Sequence, residues 1–95
     1  ERQTAEGLRW LKEAANHGHR LASTEIGLMY LNAKGVEKDE AEGFRWIKNS
    51  AEMGDARAQL QLAKCYRAGR GTDHDETKVL AWIQLAASNG AKSRV

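Results

Sequence analysis

Apolar residues recur along this chain at the spacing of a helix, in segments separated by short polar turns. Between residues 40 and 53, Phe44, Ile47 and Ala51 fall at positions i, i+3 and i+7, which places them on one side of a helix. Two other segments follow the same design, at residues 4–17 and 76–89. The pattern therefore predicts three helices of one type, which we call B.

The residues that flank the B segments are typical of helix ends. Asp39 and Asp75 stand before two of them, where a carboxylate accepts N–H groups of the first helical turn. Gly18, Gly54 and Gly90 follow the three segments, and glycine readily adopts the left-handed conformation that closes a helix. We expect these five residues to mark where the B helices begin and end.

A second type of helix, called A, is predicted over residues 20–32 and 56–68. Ala22, Ile26 and Tyr30 share one face of the first, at positions i, i+4 and i+8. The chain contains no proline, so the turns between helices depend on glycine. No segment shows the alternation of a half-buried strand. The expected fold is therefore all-α, with five helices in the order B-A-B-A-B.

One A helix and one B helix form a unit that recurs every 36 residues, since Trp10, Trp46 and Trp82 align at that offset. A fixed period of ~20–50 residues is typical of stacked repeats, and we expect the three indoles to pack in the shared core. The expected units are a half repeat, two full repeats and the start of another, at residues 1–18, 19–54, 55–90 and 91–95. The other residues expected to serve the core and turns of the repeat are Tyr30, Tyr66, Ala15, Ala51, Ala87, Gly18, Gly54 and Gly90.

Two more glycines, Gly7 and Gly43, fall inside predicted B helices. Glycine in a helix interior costs about 1 kcal/mol relative to alanine. A residue without a side chain also lets a neighbouring helix approach closely. We expect close helix–helix contact to offset the cost at both positions.

These positions carry a resemblance to the Sel-one-like repeat, a relative of the tetratricopeptide repeat. The first complete copy of the motif is carried by Ala22, Ile26, Gly27, Tyr30, Ala33, Gly35, Asp39, Gly43, Trp46, Ser50, Ala51 and Gly54. The second is carried by Ala58, Leu62, Ala63, Tyr66, Gly69, Gly71, Asp75, Val79, Trp82, Ala86, Ala87 and Gly90. The departures from the motif are Ala33, where glycine is usual, and Gly43 and Val79, where alanine is usual.

The resemblance implies a right-handed α-solenoid of antiparallel helix pairs, a TPR-like superhelix. It also implies a protein–protein interaction scaffold or adaptor, which presents a concave groove to a partner protein or peptide. The alternative is a structural or inhibitory module that positions or neutralises a neighbouring domain or enzyme, for example in a bacterial envelope or a secretion and immunity system. The family has no shared active site, so we predict no catalytic residue and do not expect an enzyme.

The A helices usually line the concave surface of solenoids built from helix pairs. Helical spacing places a leucine-rich set on the first A helix and a basic set on the second. The expected partner-binding residues are Leu21, Thr24, Leu28, Leu31, Asn32, Arg57, Leu60, Lys64 and Arg67. Such a groove suits a segment with apolar anchors beside acidic groups. The alternative is that Leu28 and Leu31 pack on another helix and that the basic side chains are solvated.

Composition changes this picture little. The 95 residues are 41% hydrophobic and 29% charged, as in ordinary globular chains. The net charge of +2 is too small to predict binding to nucleic acid, and no apolar run approaches the ~20 residues of a membrane span. The single cysteine excludes a disulfide within the chain.

The chain starts with Glu1, so we expect a piece of a longer protein, whose other parts carry any targeting segment. The sequence therefore does not predict a cellular compartment. The ends of a solenoid need polar caps or further repeats. We therefore expect the ends of this chain to meet additional repeats or a second copy of the chain.

Three groups of residues resemble a metal site, a catalytic pair and a phosphate-binding loop, but their sequence context does not support these functions. His17 and His19 have no third ligand near them in sequence with which to hold a metal. Cys65 and His74 resemble a nucleophile and a base, but Cys65 falls on the apolar face of a helix. The glycines of the turn at residues 69–71 belong to the repeat, and the rest of a phosphate-binding loop is missing. We therefore expect no metal and no cofactor.

Overall fold

Five α-helices account for most of the chain between residues 2 and 93, the part whose backbone the computed structural model describes; side chains are described for residues 6–90. The helices are α1 (Arg2–Asn16), α2 (Arg20–Asn32), α3 (Glu40–Glu52), α4 (Ala56–Ala68) and α5 (Glu76–Ser93). Residues 2–93 contain no strand. The expected all-α class and five-helix order are confirmed, with α2 and α4 as the A helices.

Each helix packs against the next one along the chain: α1 against α2, α2 against α3, α3 against α4, and α4 against α5. Turns of a few residues bring consecutive helices side by side in antiparallel pairs. The resulting slab measures 39 × 32 × 17 Å. It has two ends, one at α1 and the other at the α4–α5 pair.

The N-caps of α3 and α5 form as expected. The Asp39 carboxylate accepts a hydrogen bond from the backbone N–H of Glu42 at 3.1 Å, and the Asp75 carboxylate accepts one from Lys78 at 3.2 Å. Each bond satisfies a donor that the first turn of a helix leaves unpaired. Aspartate therefore fixes where both B helices begin.

The glycines expected to close the B helices differ in conformation. Gly18 and Gly54 have φ angles of +90° and +100°, in the left-handed region that turns the chain toward the next helix. Gly90 instead lies inside α5, which continues to Ser93, so the expectation for this glycine is wrong. A glycine costs only about 1 kcal/mol within a helix, and the alanine, lysine and serine that follow it are compatible with helical structure. In the described backbone, residues 91–93 extend α5.

The two A helices close with the same backbone conformation but different residues. Gly69 ends α4 with a φ of +70°, and Ala33 ends α2 with a φ of +54°. The left-handed conformation is unusual for alanine and costs roughly 1–2 kcal/mol. The departure at Ala33 thus changes the energy of the turn without changing its shape.

The interface between α2 and α3 depends on two glycines that face each other. A Cβ atom on Gly43 would lie 2.8 Å from the carbonyl oxygen of Gly27, and one on Gly27 would lie 2.6 Å from a side-chain carbon of Ile47. Close contact therefore offsets the cost of Gly43, as expected. A Cβ atom on Gly7 would meet nothing within 4 Å, so the same expectation is wrong for Gly7.

The hydrophobic core lies among α2, α3, α4 and α5. Its buried members form one cluster: Leu31, Ile47, Ala51, Ala58, Leu62, Ala63, Cys65, Tyr66 and Val79. The expected core residues that are only half-buried are Ala15, Tyr30, Trp46 and Trp82. Trp10 is 65% exposed and Ala87 is also exposed, so the expectation that these two pack in the core is wrong. Both lie on the end helices, each of which packs mainly against one neighbouring helix.

Candidate functional site

Two of the residues expected to line a groove on the A helices are buried, so that expectation is wrong for both. Thr24 is 0% exposed because its side chain faces Ser50 and Asp55. Leu31 is 2% exposed and lies in the core cluster beside Gly43. Leu28 is half-buried and packs against the same cluster. The alternative of packing on another helix is therefore correct for Leu28 and Leu31.

The outer sides of the A helices form two parallel stripes. In each stripe the residues stand at positions i, i+4, i+7 and i+11, which share one side of a helix. The α2 stripe is Leu21, Glu25, Leu28 and Asn32, and the α4 stripe is Arg57, Gln61, Lys64 and Ala68. We call these eight residues the A-helix face. Leu60 and Arg67 are exposed too, but they stand 36 positions after Thr24 and Leu31 and so lie on a different side of α4.

An ion pair joins the two stripes of the A-helix face. The Arg57 guanidinium lies 2.9 Å from the Glu25 carboxylate, and both side chains are about half exposed. A pair in this environment contributes at most about 1 kcal/mol, so its main value is to show that the stripes are adjacent. Sequence reasoning missed Glu25, although its position four residues after Leu21 is the signal that would have placed it here.

The charge that remains on the A-helix face is positive. Arg57 is neutralised by Glu25, whereas the ion pairs of residues 6–90 include none with Lys64. Leu21, at the other end of the face, is 59% exposed. The face therefore offers an exposed leucine, a half-buried leucine and an ammonium group outside those ion pairs.

Shallow depressions lie on both sides of Glu25. One is lined by Leu11, Ala14, His19, Leu21, Ala22 and Glu25, and it is mainly apolar. The other is lined by Glu25, Met29, Lys34 and Gly35. An extended segment laid across α2 would meet both depressions.

Three side chains behind the A-helix face form a buried polar joint: Thr24, Ser50 and Asp55. The Thr24 hydroxyl donates to the Asp55 carboxylate at 2.6 Å, and the Ser50 hydroxyl donates to the Arg20 carbonyl at 2.7 Å. The two hydroxyl oxygens are 2.6 Å apart. Asp55 also caps α4, because its carboxylate accepts from the backbone N–H of Ala58 at 3.3 Å. The polar joint therefore ties α2, α3 and α4 together at one edge of the slab.

The opposite edge of the slab is held by Arg70. Its guanidinium donates to the Glu40 carboxylate at 3.0 Å and also to the backbone carbonyl of Leu31. The hydrogen bond from Arg70 lowers the pKa of Glu40 below its usual value, and the positive charge of Lys38, 3.6 Å away, acts in the same direction. The arginine of the turn at residues 69–71 is thus a structural clamp between the repeats.

The residues considered as catalytic or metal-binding candidates do not form a common site. Cys65 is buried, and burial raises the pKa of its thiol, which disfavours the nucleophilic thiolate. His74 lies 2.8 Å from Glu76 on the surface, and His17 and His19 are exposed. Within the described residues, no three or more His, Cys, Asp or Glu side chains are grouped as a metal would require. Nor does any helix in that part of the chain combine the length and apolar character needed to cross a bilayer.

The family profile of the Sel1 repeat matches residues 1–19, 20–55 and 56–90. Among solved structures, the chain is similar to a Sel1 repeat protein from Oxalobacter formigenes, with 42% identity and a TM-score of 0.85. It is also similar to c5321, a protective antigen present in uropathogenic Escherichia coli strains that displays an SLR fold, with 32% identity and a TM-score of 0.86. No curated protein sequence matches the chain.

A third structure, the Helicobacter pylori cysteine rich protein B, shares the fold with a TM-score of 0.84 at 21% identity. Each of the three comparisons covers 90% of this chain. The chain spans 35%, 18% and 65% of the lengths of those proteins, in the same order. The expected resemblance and the solenoid fold class are confirmed.

Proposed function

Because the chain belongs to the Sel1 repeat family, whose repeats are generally scaffolds for protein–protein interaction, we propose that its A-helix face binds a segment of a partner protein. The observation that carries the proposal is the ion pair between Arg57 and Glu25, which shows that the outer stripes of the two A helices are adjacent. A surface held by packed helices and buried hydrogen bonds is ordered before the partner arrives. Binding then costs less conformational entropy than it would on a flexible loop.

The chemistry of the A-helix face favours a partner segment that is both apolar and acidic. Leu21 and the depression beside it offer contact area for an apolar side chain. Lys64, one repeat further, offers a positive charge to an aspartate, a glutamate or a chain-terminal carboxylate. The partner segment therefore places an apolar anchor over α2 and an acidic group over α4.

Charge reversal on the A-helix face tests this proposal. The immobilised chain is used to recover binding proteins, and the affinity of each for purified variants is then measured. Lys64→Glu should weaken binding on the order of tenfold, since it sets two negative charges against each other. Lys48→Glu is the matched control, because Lys48 is exposed on α3, away from the A-helix face. Equal binding by the wild-type chain and the Lys64→Glu variant would contradict the proposal.

The second candidate function is a module that positions a neighbouring domain or enzyme through its ends. The exposed apolar residues at those ends favour it: Trp10 is 65% exposed on α1 and Leu80 is 60% exposed on α5. Under this alternative, Trp10→Ser or Leu80→Ser abolishes binding of the recovered protein and Lys64→Glu does not. The same affinity measurements therefore separate the two candidates.

A further inference from the structure

We propose that Asn89 is a chemical modification site, at which attack by the backbone nitrogen of Gly90 converts the side-chain amide to a carboxylate. The consequence of this conversion is that α5 is released from the turn between α3 and α4. The site lies outside the A-helix face, so the proposal does not rest on the function proposed above.

The residue that follows Asn89 sets it apart from the other asparagines of the chain. The chain contains Asn16, Asn32, Asn49 and Asn89, and only Asn89 is followed by glycine. The conversion begins when the backbone nitrogen of the next residue reaches the side-chain carbonyl carbon, and a side chain on that residue hinders the approach. Gly90 has no side chain, so the reaction is least hindered at Asn89.

The conversion consumes only water. The Gly90 nitrogen forms a bond to Cγ of Asn89, the bond between Cγ and the amide nitrogen breaks, and ammonia leaves with the proton of the Gly90 N–H. Water then opens the resulting succinimide ring. Attack on the former side-chain carbonyl gives aspartate, and attack on the backbone carbonyl gives isoaspartate, in which the main chain passes through the side-chain carbon. No atom is oxidised or reduced.

The surroundings of Gly90 leave room for this reaction. Asn89 and Gly90 are both half-buried, so water reaches this part of α5. No described atom outside the helix backbone lies within 4 Å of the place where a Cβ atom of Gly90 would stand. Glycine also weakens a helix by about 1 kcal/mol relative to alanine. Local opening of this turn frees the Gly90 nitrogen from the hydrogen bond that a helical N–H makes to the carbonyl four residues earlier.

The side-chain amide of Asn89 fastens α5 to the preceding helices. Its Nδ2 atom donates to Oε1 of Gln59 at 2.8 Å and to the backbone carbonyl of Gly54 at 3.2 Å. Gln59 is 1% exposed, and its own amide donates to the Ala51 carbonyl at 3.1 Å. These hydrogen bonds join α5 to the end of α3 and the first turns of α4.

This fastening is specific to the second full repeat. The residues that stand 36 positions before Asn89 and Gln59 are Met53 and Ser23, which have no side-chain amides. The corresponding interface in the first repeat therefore contains neither the bond nor the reactive residue. Conversion of Asn89 affects one interface of the slab and leaves the other unchanged.

A carboxylate at position 89 cannot replace the amide, because it has no N–H to donate. Its oxygens would face Oε1 of Gln59 and the Gly54 carbonyl, which are both acceptors. Rotation of the Gln59 amide would turn its oxygen toward the Ala51 carbonyl and lose that bond instead. Polar groups without partners are unfavourable in such an environment, so aspartate weakens the attachment of α5. Isoaspartate additionally inserts a carbon atom into the main chain and shifts the hydrogen-bond register of the helix.

Ageing of the folded chain tests the reaction. The chain is incubated in mildly alkaline buffer and digested, and mass spectrometry follows the amide-to-acid conversion at each of the four asparagines, while an isoaspartyl methyltransferase detects isoaspartate. We expect Asn89 to convert first. Gly90→Ala is the matched variant, since the open space at Gly90 accommodates a methyl group. It should convert on the order of tenfold more slowly, because alanine hinders the approach and makes the helix open less often.

Two results would overturn the proposed reaction. One is conversion of the Gly90→Ala variant at the wild-type rate. The other is an unchanged Asn89 in the folded chain after a synthetic peptide of residues 84–95 has converted completely under the same conditions, since the fold would then protect the site.

The structural consequence is tested with Asn89→Asp, which reproduces the aspartate product. Asn49→Asp is the control, because Asn49 is exposed near the end of α3 and an added negative charge there meets the same unfavourable helix dipole. The thermal midpoint of Asn89→Asp should lie roughly 4 °C or more below that of Asn49→Asp. Amide protons of α5 should exchange faster in the same variant. Equal midpoints and exchange rates for the two variants would contradict the role of the amide in holding α5.

Discussion

At the scale of single residues, the packing of the neighbouring helix decides whether a glycine is needed at a given position of the repeat. Gly43 lies against the backbone of Gly27, so no side chain fits between α2 and α3. Gly7 occupies the equivalent position in α1, where nothing lies within 4 Å of a Cβ atom. The same residue type is therefore a packing requirement in one repeat and an uncompensated cost to the helix in the other.

We predict opposite effects of alanine at the two glycines. Gly43→Ala should lower the free energy of unfolding by roughly 1–3 kcal/mol, because the methyl group forces two helix backbones apart. Gly7→Ala should raise it by about 0.5–1 kcal/mol through the better helix propensity of alanine. Urea unfolding followed by circular dichroism measures both changes, and destabilisation by Gly7→Ala would show that α1 has a contact at this position.

Thr24 shows how much of the fold depends on one hydroxyl. Thr24→Val keeps the shape of the side chain but removes the donor to Asp55, a residue that is only 7% exposed. We expect a loss of roughly 1–3 kcal/mol in the free energy of unfolding, since a buried acceptor is left without that partner. Thr77→Val on the exposed side of α5 is the control and should change stability by less than about 0.5 kcal/mol. Similar free energies of unfolding for the two variants would mean that the polar joint contributes little to the stability of the fold.

At the scale of helices, the two full repeats are fastened at both edges of their interface. The polar joint holds one edge, where α2 and α4 begin and α3 ends. The Arg70 clamp holds the other, where it reaches Glu40 at the start of α3 and the last turn of α2. Two attachments at opposite ends fix the angle between neighbouring helices better than a central contact does.

The Arg70 clamp should make stability depend on acid pH. The pKa of Glu40 is lowered in the folded chain, so the stabilisation is complete above the pKa of an unfolded glutamate and is lost as the pH falls through the folded value. Arg70→Gln should therefore unfold at a lower temperature than the wild-type chain near neutral pH. The difference should shrink as the solution becomes more acidic.

Thermal unfolding across the acid range checks this expectation. Arg9→Gln is the control, because Arg9 is exposed on α1, away from Glu40. A difference between Arg70→Gln and the wild-type chain that stays constant with pH would assign the effect of Arg70 to its bond with the Leu31 carbonyl.

The bounds of α4 were predictable from local chemistry, because Asp55 caps its first turn and Gly69 closes it, and the 36-residue period gives the same bounds for α2. Residues 20–32 and 56–68 were expected to be helical, and α2 and α4 occupy those ranges. Gly90 was misassigned because a glycine ends a helix only where the chain that follows turns away. The burial of Thr24 and Leu31 could not be predicted from one helix, since periodicity shows which residues share a side but not which side a neighbour covers.

At the scale of the whole molecule, the middle of the slab is packed on two sides and the ends on one. Trp46 and Trp10 show this, because Trp46 on α3 is half-buried while Trp10 on α1 is 65% exposed. Trp82, on the other end helix, is half-buried because it packs against the core cluster. The 36-residue period predicted their equivalence in sequence. It did not predict their different surroundings, which depend on what the neighbouring helices place against each indole.

The tryptophans should therefore differ in their effect on stability. Trp82→Ala should lower the free energy of unfolding by roughly 2–3 kcal/mol, since the indole packs against the core cluster. Trp10→Ala should cost less than about 1 kcal/mol, because most of its indole is already in water. Denaturant unfolding of the two variants measures the difference, and equal losses would mean that another surface covers Trp10 in solution.

The arrangement in which each helix packs mainly against its sequence neighbours also governs how the molecule opens. Local opening can begin at either end without disturbing the centre, because no extensive packing within residues 2–93 joins the first helix to the last. Amide protons should therefore exchange with deuterated solvent fastest in α1 and slowest in α3 and α4. Any molecule that binds an end should slow this fraying, and exchange rates would then report its binding at a distance from the contact itself.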